Sequence, residues 1–150
     1  MESVLNIFLV FLSFFSMEGV AWATHKYIMH GFLWHLHKDH HKKEVYGFFE
    51  KNDYFFLIFA TPGVIMIFAG LKFFIPLFFI GLGISIYGFA YFTVHDLFIH
   101  QRFNILRKSE NRYFKAIRRA HKIHHKKLTK EGCENFGMLW VPIKYFKQKI

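Results

Sequence analysis

Three long apolar blocks limit the folds that this chain can adopt. They run from about Val4 to Ala23, from Tyr54 to Gly70 and from Phe73 to Val94. A helix of roughly 20 apolar residues crosses a hydrocarbon core of about 30 Å, and a helix satisfies its own backbone hydrogen bonds within the lipid. The sequence therefore predicts an all-α integral membrane bundle with three crossings, and residues 1–150 are expected to form a single domain.

The composition is typical of a membrane protein and excludes several other classes. Hydrophobic residues make up 53% of the chain and aromatic residues 21%, whereas an ordinary soluble domain has about 45–50% apolar residues. The formal net charge is +10, but the basic residues avoid the apolar blocks and no motif for reading bases is present, so we expect no nucleic-acid partner. Because Cys133 is the single cysteine, the sequence excludes a disulfide framework and a cysteine-ligated zinc or iron–sulfur site.

The distribution of basic residues predicts the orientation of the bundle. Residues 24–53 hold five Lys or Arg and residues 95–150 hold fourteen, whereas Lys72 is the only charged residue between Asp53 and His95. Cytoplasmic segments carry the excess of Lys and Arg. We therefore expect the chain to lie in the inner (cell) membrane, with its N-terminus outside and its C-terminus in the cytoplasm.

Ten of the eleven histidines fall into two sets with the same spacing, HxxxxH followed by HxxHH. The first set is His25, His30, His37, His40 and His41, and the second set is His95, His100, His121, His124 and His125. Ten imidazoles are too many for one ion, which takes roughly four to six ligands, but they suit two ions. Three crossings place both sets on one side, so the sequence predicts a cytoplasmic helical cap that holds two metal ions. The remaining histidine, His35, is expected at the membrane interface and not among the ligands.

The two spacings make different demands on a helix. In HxxHH the first histidine is three and four residues before the others, and such positions share one helix face. Residues five apart, such as His25 and His30, point about 140° away from each other in a regular α-helix. Each HxxxxH pair therefore predicts either a distorted helix, such as a π-bulge, or two separate metal centres.

Three carboxylates are candidates for orienting the histidine rings through hydrogen bonds. Asp39 and Asp96 lie inside the histidine motifs, and the alternative for both is a solvated position at the interface. Glu18 lies inside the first apolar block, where an acid is costly and by default marks a functional site; the alternative is a position near the headgroups. We expect Glu18 to bond a histidine on a neighbouring helix. Further acids close to the motifs are Glu44, Glu131 and Glu134.

At these motifs the sequence resembles the membrane fatty acid hydroxylase superfamily, and within it the bacterial β-carotene hydroxylase family. The superfamily's histidine boxes are similar to HKYIMH, HKDHH and HKIHH, and the carotenoid branch is suggested by MEGVAW, THKYIMHG, HDLFIHQRF and GCENFG. The resemblance covers most of the chain from Met17 to about Leu139. It implies a di-iron oxygenase that hydroxylates C3 of β-ionone rings and converts β-carotene to β-cryptoxanthin and then to zeaxanthin. The ten motif histidines are the residues that carry over as metal ligands.

The resemblance also implies what the protein works with. It implies a lipid-soluble carotenoid substrate, O2 as co-substrate and electrons from a ferredoxin-like or NAD(P)H-linked donor. Neutral imidazole binds Zn, Cu, Fe and Ni, so the residues alone leave the metal open, and zinc is an alternative occupant of the purified protein. The aromatic residues Phe32, Trp34, Phe92 and Phe98 are expected either to line the access of the substrate or, more simply, to face lipid.

Two alternative functions remain open from the sequence. The first is a hydroxylase or desaturase that acts on a fatty acyl chain or a sterol. The second, from a different class, is a metal transporter or a bis-histidine haem protein. A transporter is expected to hold its ionisable ligands at mid-membrane, whereas these histidines cluster beyond the ends of the apolar blocks.

Overall fold

The computed structural model describes residues 1–42, 49–103 and 109–147, and all regular elements in these ranges are helical. In chain order the elements are α1 (Glu2–Ala23), π1 (Thr24–Phe32), α2 (Trp34–His41), a 3₁₀ turn (Lys51–Asp53), α3 (Tyr54–Lys72), α4 (Ile75–Phe92), π2 (Thr93–Ile99), α5 (Arg112–His125) and α6 (Lys144–Lys147). The all-α prediction is confirmed.

Three helical stretches are long and apolar enough to cross a membrane. They are Glu2–Phe32, Lys51–Lys72 and Ile75–Ile99, which confirms the three predicted crossings. Large apolar side chains along them point outwards, and Phe68 and Phe89 are 68% and 73% exposed. Lipid is the environment in which such a surface is stable.

Helix α4 packs between α1 and α3, and glycines allow the close approach on both sides. A Cβ atom at Gly81 would lie 2.6 Å from the carbonyl oxygen of Gly63 on α3. A Cβ atom at Gly83 would lie 2.4 Å from the carbonyl oxygen of Val10 on α1. Neither position has room for a side chain, so these small residues bring the helices into backbone contact, as small residues do in membrane bundles.

The histidine-bearing elements form a cap at one end of the bundle. Helix α5 begins at its N-cap Asn111, whose side-chain oxygen accepts the backbone N–H groups of Tyr113 and Phe114, a common N-cap arrangement. Its apolar face packs onto π2, where Ile117 joins a buried cluster with Phe98. The chain after α5 then runs back across the cap without regular structure as far as α6.

Candidate metal centre

The two π segments bring the members of each HxxxxH pair together. A π-helix makes i→i+5 hydrogen bonds, so residues five apart become neighbours. The ring centroids of His25 and His30 lie 5.1 Å apart in π1, and those of His95 and His100 lie 4.5 Å apart in π2. The prediction of a distorted helix is confirmed at both pairs, and both members of each pair lie in one imidazole cluster and not in two.

The imidazoles converge on two centres. The first cluster consists of His25, His30, His37, His41 and His124, and the second cluster consists of His40, His95, His100 and His121. Within each cluster, one ring nitrogen from every residue lies within 4.8 Å of the others. His125 lies beside the second cluster, with its Nε2 atom 2.8 Å from Nε2 of His121.

The two clusters do not coincide with the two sets in the sequence. His40 belongs to the first set in the sequence but lies in the second cluster, and His124 belongs to the second set but lies in the first cluster. The exchange is possible because the helix face that carries the HxxHH residues borders both clusters. Each cluster therefore contains histidines from both halves of the chain.

The Nδ1 atoms of the first cluster are held by oxygen atoms outside it. The partners are the carbonyl oxygens of Phe136 for His25 at 3.0 Å, Lys130 for His30 at 3.0 Å, Lys127 for His41 at 2.8 Å and Glu134 for His124 at 2.8 Å, and Oδ1 of Asn52 for His37 at 2.6 Å. These oxygens only accept, so each Nδ1 donates its proton. The lone pair of each imidazole then lies on Nε2, which faces the centre of the cluster.

The second cluster is held by carboxylates instead. Nδ1 of His40 donates to Oε2 of Glu50 at 2.8 Å, and Nδ1 of His95 donates to Oδ2 of Asp96 at 3.1 Å. A carboxylate partner raises the basicity of the imidazole as a metal ligand. The two clusters therefore differ in the groups that tune their ligands.

Arg102 ties these carboxylates together. Its guanidinium bonds both oxygens of Asp53, at 3.0 and 2.5 Å, and its Nε atom lies 2.9 Å from Oδ1 of Asp96. It also lies 3.5 Å from Oε2 of Glu50. One planar cation thus positions the two acids that hold His40 and His95.

Short distances between Nε2 atoms show that the donor set fits metal ions. Nε2 of His25 lies 3.1 Å from that of His37, and Nε2 of His40 lies 3.0 Å from that of His95. With every one of these Nδ1 atoms donating elsewhere, the paired Nε2 atoms both carry lone pairs, which repel at this distance. A cation bound between them removes the repulsion, and neutral imidazole is a common ligand of Zn and Fe.

Burial keeps these imidazoles neutral. Desolvation lowers the pKa of His37 to about 2, although its hydrogen bond to Asn52 acts in the opposite direction. Burial also lowers the pKa of His124 to about 3 and holds the pKa of His40 well below its usual value, with a further contribution from neighbouring imidazoles. Neutral imidazole is the state that binds a metal ion.

The three carboxylates expected to orient histidines take three different roles. Asp96 contacts His95, as described above. Asp39 instead accepts the backbone N–H of Lys51 at 2.7 Å, which corrects the expectation of a direct contact with an imidazole. Asp39 therefore acts indirectly. Its hydrogen bond to Lys51 fixes the turn from which Glu50 and Asn52 contact the histidines.

Glu18 also departs from the expectation, because its partners among the described residues include no histidine. Oε1 accepts the backbone N–H groups of Met138, Leu139 and Trp140 at 2.8, 2.9 and 3.0 Å. Oε2 accepts the hydroxyl of Tyr87 at 2.7 Å. Glu18 thus connects α1 and α4 to the backbone of residues 138–140. These residues begin two positions after Phe136, whose carbonyl oxygen accepts the hydrogen bond from His25.

Sequence reasoning missed most partners of the Nδ1 atoms. Glu50 and Asn52 lie in the polar stretch after the first histidine set, where the Glu50–Asp53 capping box was the available signal of a structured turn. The backbone carbonyls leave no signature in residue type. Of the further acids, Glu131 and the Glu134 side chain are exposed, and Glu44 lies outside the described residues.

The remaining residues singled out near the motifs fall into three environments. His35 is exposed, and Phe32 is 74% exposed on the surface of π1. Phe98 is 2% exposed and belongs to the core of the cap, so it neither faces lipid nor lines an access path. The ring of Trp34 lies 5.1 Å from that of His30, whereas Phe92 lines a crevice beside Arg102.

The bundle and the two imidazole clusters define a class of histidine-rich helical proteins with membrane-length helices. The model of the fatty acid hydroxylase family matches residues 10–145, and the chain belongs to this family. The resemblance noted in the histidine motifs is thereby confirmed. No solved structure matches the chain.

Several curated relatives cover most of the chain. The chain is 40% identical over 137 residues to the beta-carotene hydroxylase of Pantoea ananas. This alignment covers 91% of this chain and 78% of that protein. The chain is 35% identical over 127 residues to the beta-carotene hydroxylase of Paracoccus sp. (strain PC1), covering 84% and 78%. It is 41% identical over 113 residues to the chloroplastic beta-carotene 3-hydroxylase of Gentiana lutea, covering 73% of this chain and 35% of that protein.

Proposed function

We propose that this chain is a β-carotene 3-hydroxylase, a membrane oxygenase that converts β-carotene to β-cryptoxanthin and then to zeaxanthin. The observation that carries the proposal is the pair of adjacent, buried imidazole clusters at one end of an apolar bundle. The beta-carotene hydroxylases among the relatives favour this reaction over hydroxylation or desaturation of fatty acyl chains or sterols.

The proposed ligands of two iron ions are the ten motif histidines. They are His25, His30, His37, His41 and His124 at one ion, and His40, His95, His100, His121 and His125 at the other. Bound iron supplies the activation of O2, which protein side chains do not provide. Zinc fits the same nitrogen donors and is therefore an alternative occupant of purified protein.

The protein contributes to this chemistry by holding the imidazole rings rigidly and by excluding bulk water. Every ring of the first cluster has its Nδ1 proton directed to a fixed oxygen, so the Nε2 atoms need little reorganisation to bind an ion. His37 and His124 are 1% and 0% exposed, which keeps bulk water away from the first cluster. A site that excludes water at the end of the lipid-facing helices is compatible with a hydrocarbon substrate.

We further propose that both clusters lie on the cytoplasmic side of the inner membrane, where a ferredoxin-like or NAD(P)H-linked donor delivers electrons. Lys72 lies at the end of α3, and the basic helix α5 lies in the cap, in agreement with the excess of Lys and Arg in cytoplasmic segments. A membrane-impermeant thiol reagent tests the orientation. It should label Lys72→Cys in a Cys133→Ser background from outside intact cells, and labelling only after lysis contradicts it.

Expression in cells that make β-carotene tests the activity directly. Zeaxanthin should accumulate with the wild-type chain and not with His37→Ala, whereas His35→Ala serves as a matched control and should retain activity. Iron re-addition to metal-free protein should restore hydroxylation, and zinc should not. Unchanged β-carotene together with newly hydroxylated fatty acids would contradict the proposal in favour of an acyl-lipid hydroxylase.

A further inference from the structure

An apolar crevice leads from the membrane-spanning helices to the second cluster. Its upper walls come from three helices, with Met17 on α1, Ala60 on α3 and Gly88 on α4. Its inner end is formed by Met29 of π1 and His95 of the second cluster. The crevice therefore connects the depth of the bilayer with a ring that the proposed function assigns to a metal ion.

The polar groups at the inner end already have partners. Asn52 accepts from His37, Asp53 is bonded to Arg102, and Asp96 is bonded to His95 and Arg102. A neutral hydrocarbon can enter without leaving these groups unpaired. An anionic headgroup would instead meet two carboxylates, so the crevice favours a neutral ligand.

Gly88 keeps the crevice open. A Cβ atom built at Gly88 meets no atom within 4 Å, in contrast to Gly81 and Gly83, where it would collide with a neighbouring helix. Glycine inside a helix is less stable than alanine. Close helix packing does not require glycine at this position. The structural effect of Gly88 is therefore the free space that it leaves on the wall of the crevice.

Gly88 also lies at a suitable distance from the second cluster. It precedes His95 by seven residues along the same helical stretch, which corresponds to roughly 10 Å along the axis. A side chain at this position would narrow the crevice above its inner end and would not touch the imidazoles. The residue can therefore limit what passes without taking part in ligand binding at the metal.

We propose that this crevice binds the ring end of the carotenoid substrate, and that Gly88 determines how large a ring end reaches the second cluster. The inference rests on the proposed function and deepens it. The ring end enters sideways from the lipid between α1, α3 and α4, and the rest of the long hydrocarbon stays in the bilayer. Residue 88 is thus a specificity determinant that touches the substrate.

Substitutions that narrow the crevice test this assignment. Gly88→Leu should lower the conversion of β-carotene by about tenfold or more, as overpacking a tight site does, and Gly88→Ala should lower it less. Ala60→Leu narrows the crevice from the wall that α3 forms and should act in the same direction. The matched control is Gly19→Leu on α1, because Gly19 is exposed and a Cβ atom there also meets nothing within 4 Å.

Two readouts accompany the conversion assay. Metal content per chain should equal that of the wild type in all four variants, because none of them alters a histidine or its partner. The amount of β-carotene that co-purifies with the protein should fall for Gly88→Leu and Ala60→Leu and not for Gly19→Leu. Together these readouts separate a blocked crevice from a damaged metal site.

The outcomes distinguish the crevice from the proposed function. If the wild type makes zeaxanthin and Gly88→Leu and Ala60→Leu do so equally well, the crevice assignment is overturned and the function stands. If Gly19→Leu is impaired as much as Gly88→Leu, the effect is not specific to the crevice and the assignment is also overturned. A wild type that leaves β-carotene unchanged contradicts the proposed function, and the assignment falls with it.

Discussion

At the scale of single residues, the partner at Nδ1 distinguishes the two clusters. Four of the five imidazoles in the first cluster donate to backbone carbonyls, whereas His40 and His95 donate to carboxylates. Negative partners make stronger ligands of the imidazoles that they hold. The second ion is therefore expected to depend on side chains that mutation can change, and the first ion on backbone atoms.

Glu50→Gln tests this difference. The amide keeps the shape of the side chain but removes the charge that faces His40, so the affinity of the second cluster for its metal should fall about 10–100-fold. The first cluster should keep its affinity. Titration of the metal-loaded protein with a chelator separates the two events.

The control for this prediction is Glu131→Gln, which removes one negative charge from an exposed position in the same cap. It should leave both affinities unchanged. Equal weakening of both ions by Glu50→Gln, or equal effects of the two variants, would show that Glu50 has no selective role at the second cluster.

At the scale of elements, the irregular segment after α5 is as important to the site as the helices. It supplies the carbonyls of Lys127, Lys130, Glu134 and Phe136 to four imidazoles. Irregular backbone has free carbonyls to offer, whereas helical carbonyls are committed to their own helix. The segment therefore needs an anchor, and Glu18 provides one.

Glu18→Ala should destabilise the fold far more than Tyr87→Phe. The alanine variant leaves the amides of Met138, Leu139 and Trp140 and the Tyr87 hydroxyl without their acceptor, at about 1–3 kcal/mol for each buried group. Tyr87→Phe removes one of the four bonds and should cost about 1 kcal/mol. Thermal unfolding in detergent, followed by circular dichroism, measures both.

Metal retention provides the second readout for this anchor. Loss of Glu18 should loosen the first cluster, which takes four carbonyls from the segment, before it affects the second. Equal unfolding temperatures for the two variants would contradict the anchoring role, since the structure assigns three further bonds to Glu18.

The elements differ in how far the sequence predicted them. The three crossings follow from apolar length. A distorted helix at each HxxxxH pair was one of the two alternatives that helix geometry allowed, because residues five apart cannot face one centre from a regular helix. The irregular segment escaped prediction because its contribution is made by backbone oxygens. The role of Glu18 escaped prediction because its three backbone partners lie about 120 residues away along the chain, and Tyr87 lies 69 residues away.

At the scale of the whole molecule, the two centres interlock the halves of the chain. The α3–α4 hairpin returns the chain to the cap, where histidine rings of α5 contact those of α2, with the rings of His41 and His124 4.7 Å apart. His40 and His124 thereby exchange clusters. The spacing of the histidines predicted two proposed ions but not this division, because HxxHH places residues of both clusters on one helix face. Only the long-range placement of the α5 histidines beside those of α2 decides which cluster each of them joins.

The metal content of two double variants within one histidine box tests the interlocked arrangement most directly. His37→Ala/His41→Ala leaves three imidazoles at the first proposed ion and all five at the second, so about one ion per chain should remain, whereas His37→Ala/His40→Ala leaves four imidazoles at each and should retain more metal. Both variants lose two imidazoles from α2, so they are matched in helix and in chemistry. Mass-spectrometric metal analysis of the purified chains, with about two ions expected for the wild type, gives the answer. Equal metal loss in the two variants would contradict the arrangement, because it would mean that His37, His40 and His41 serve the same ion.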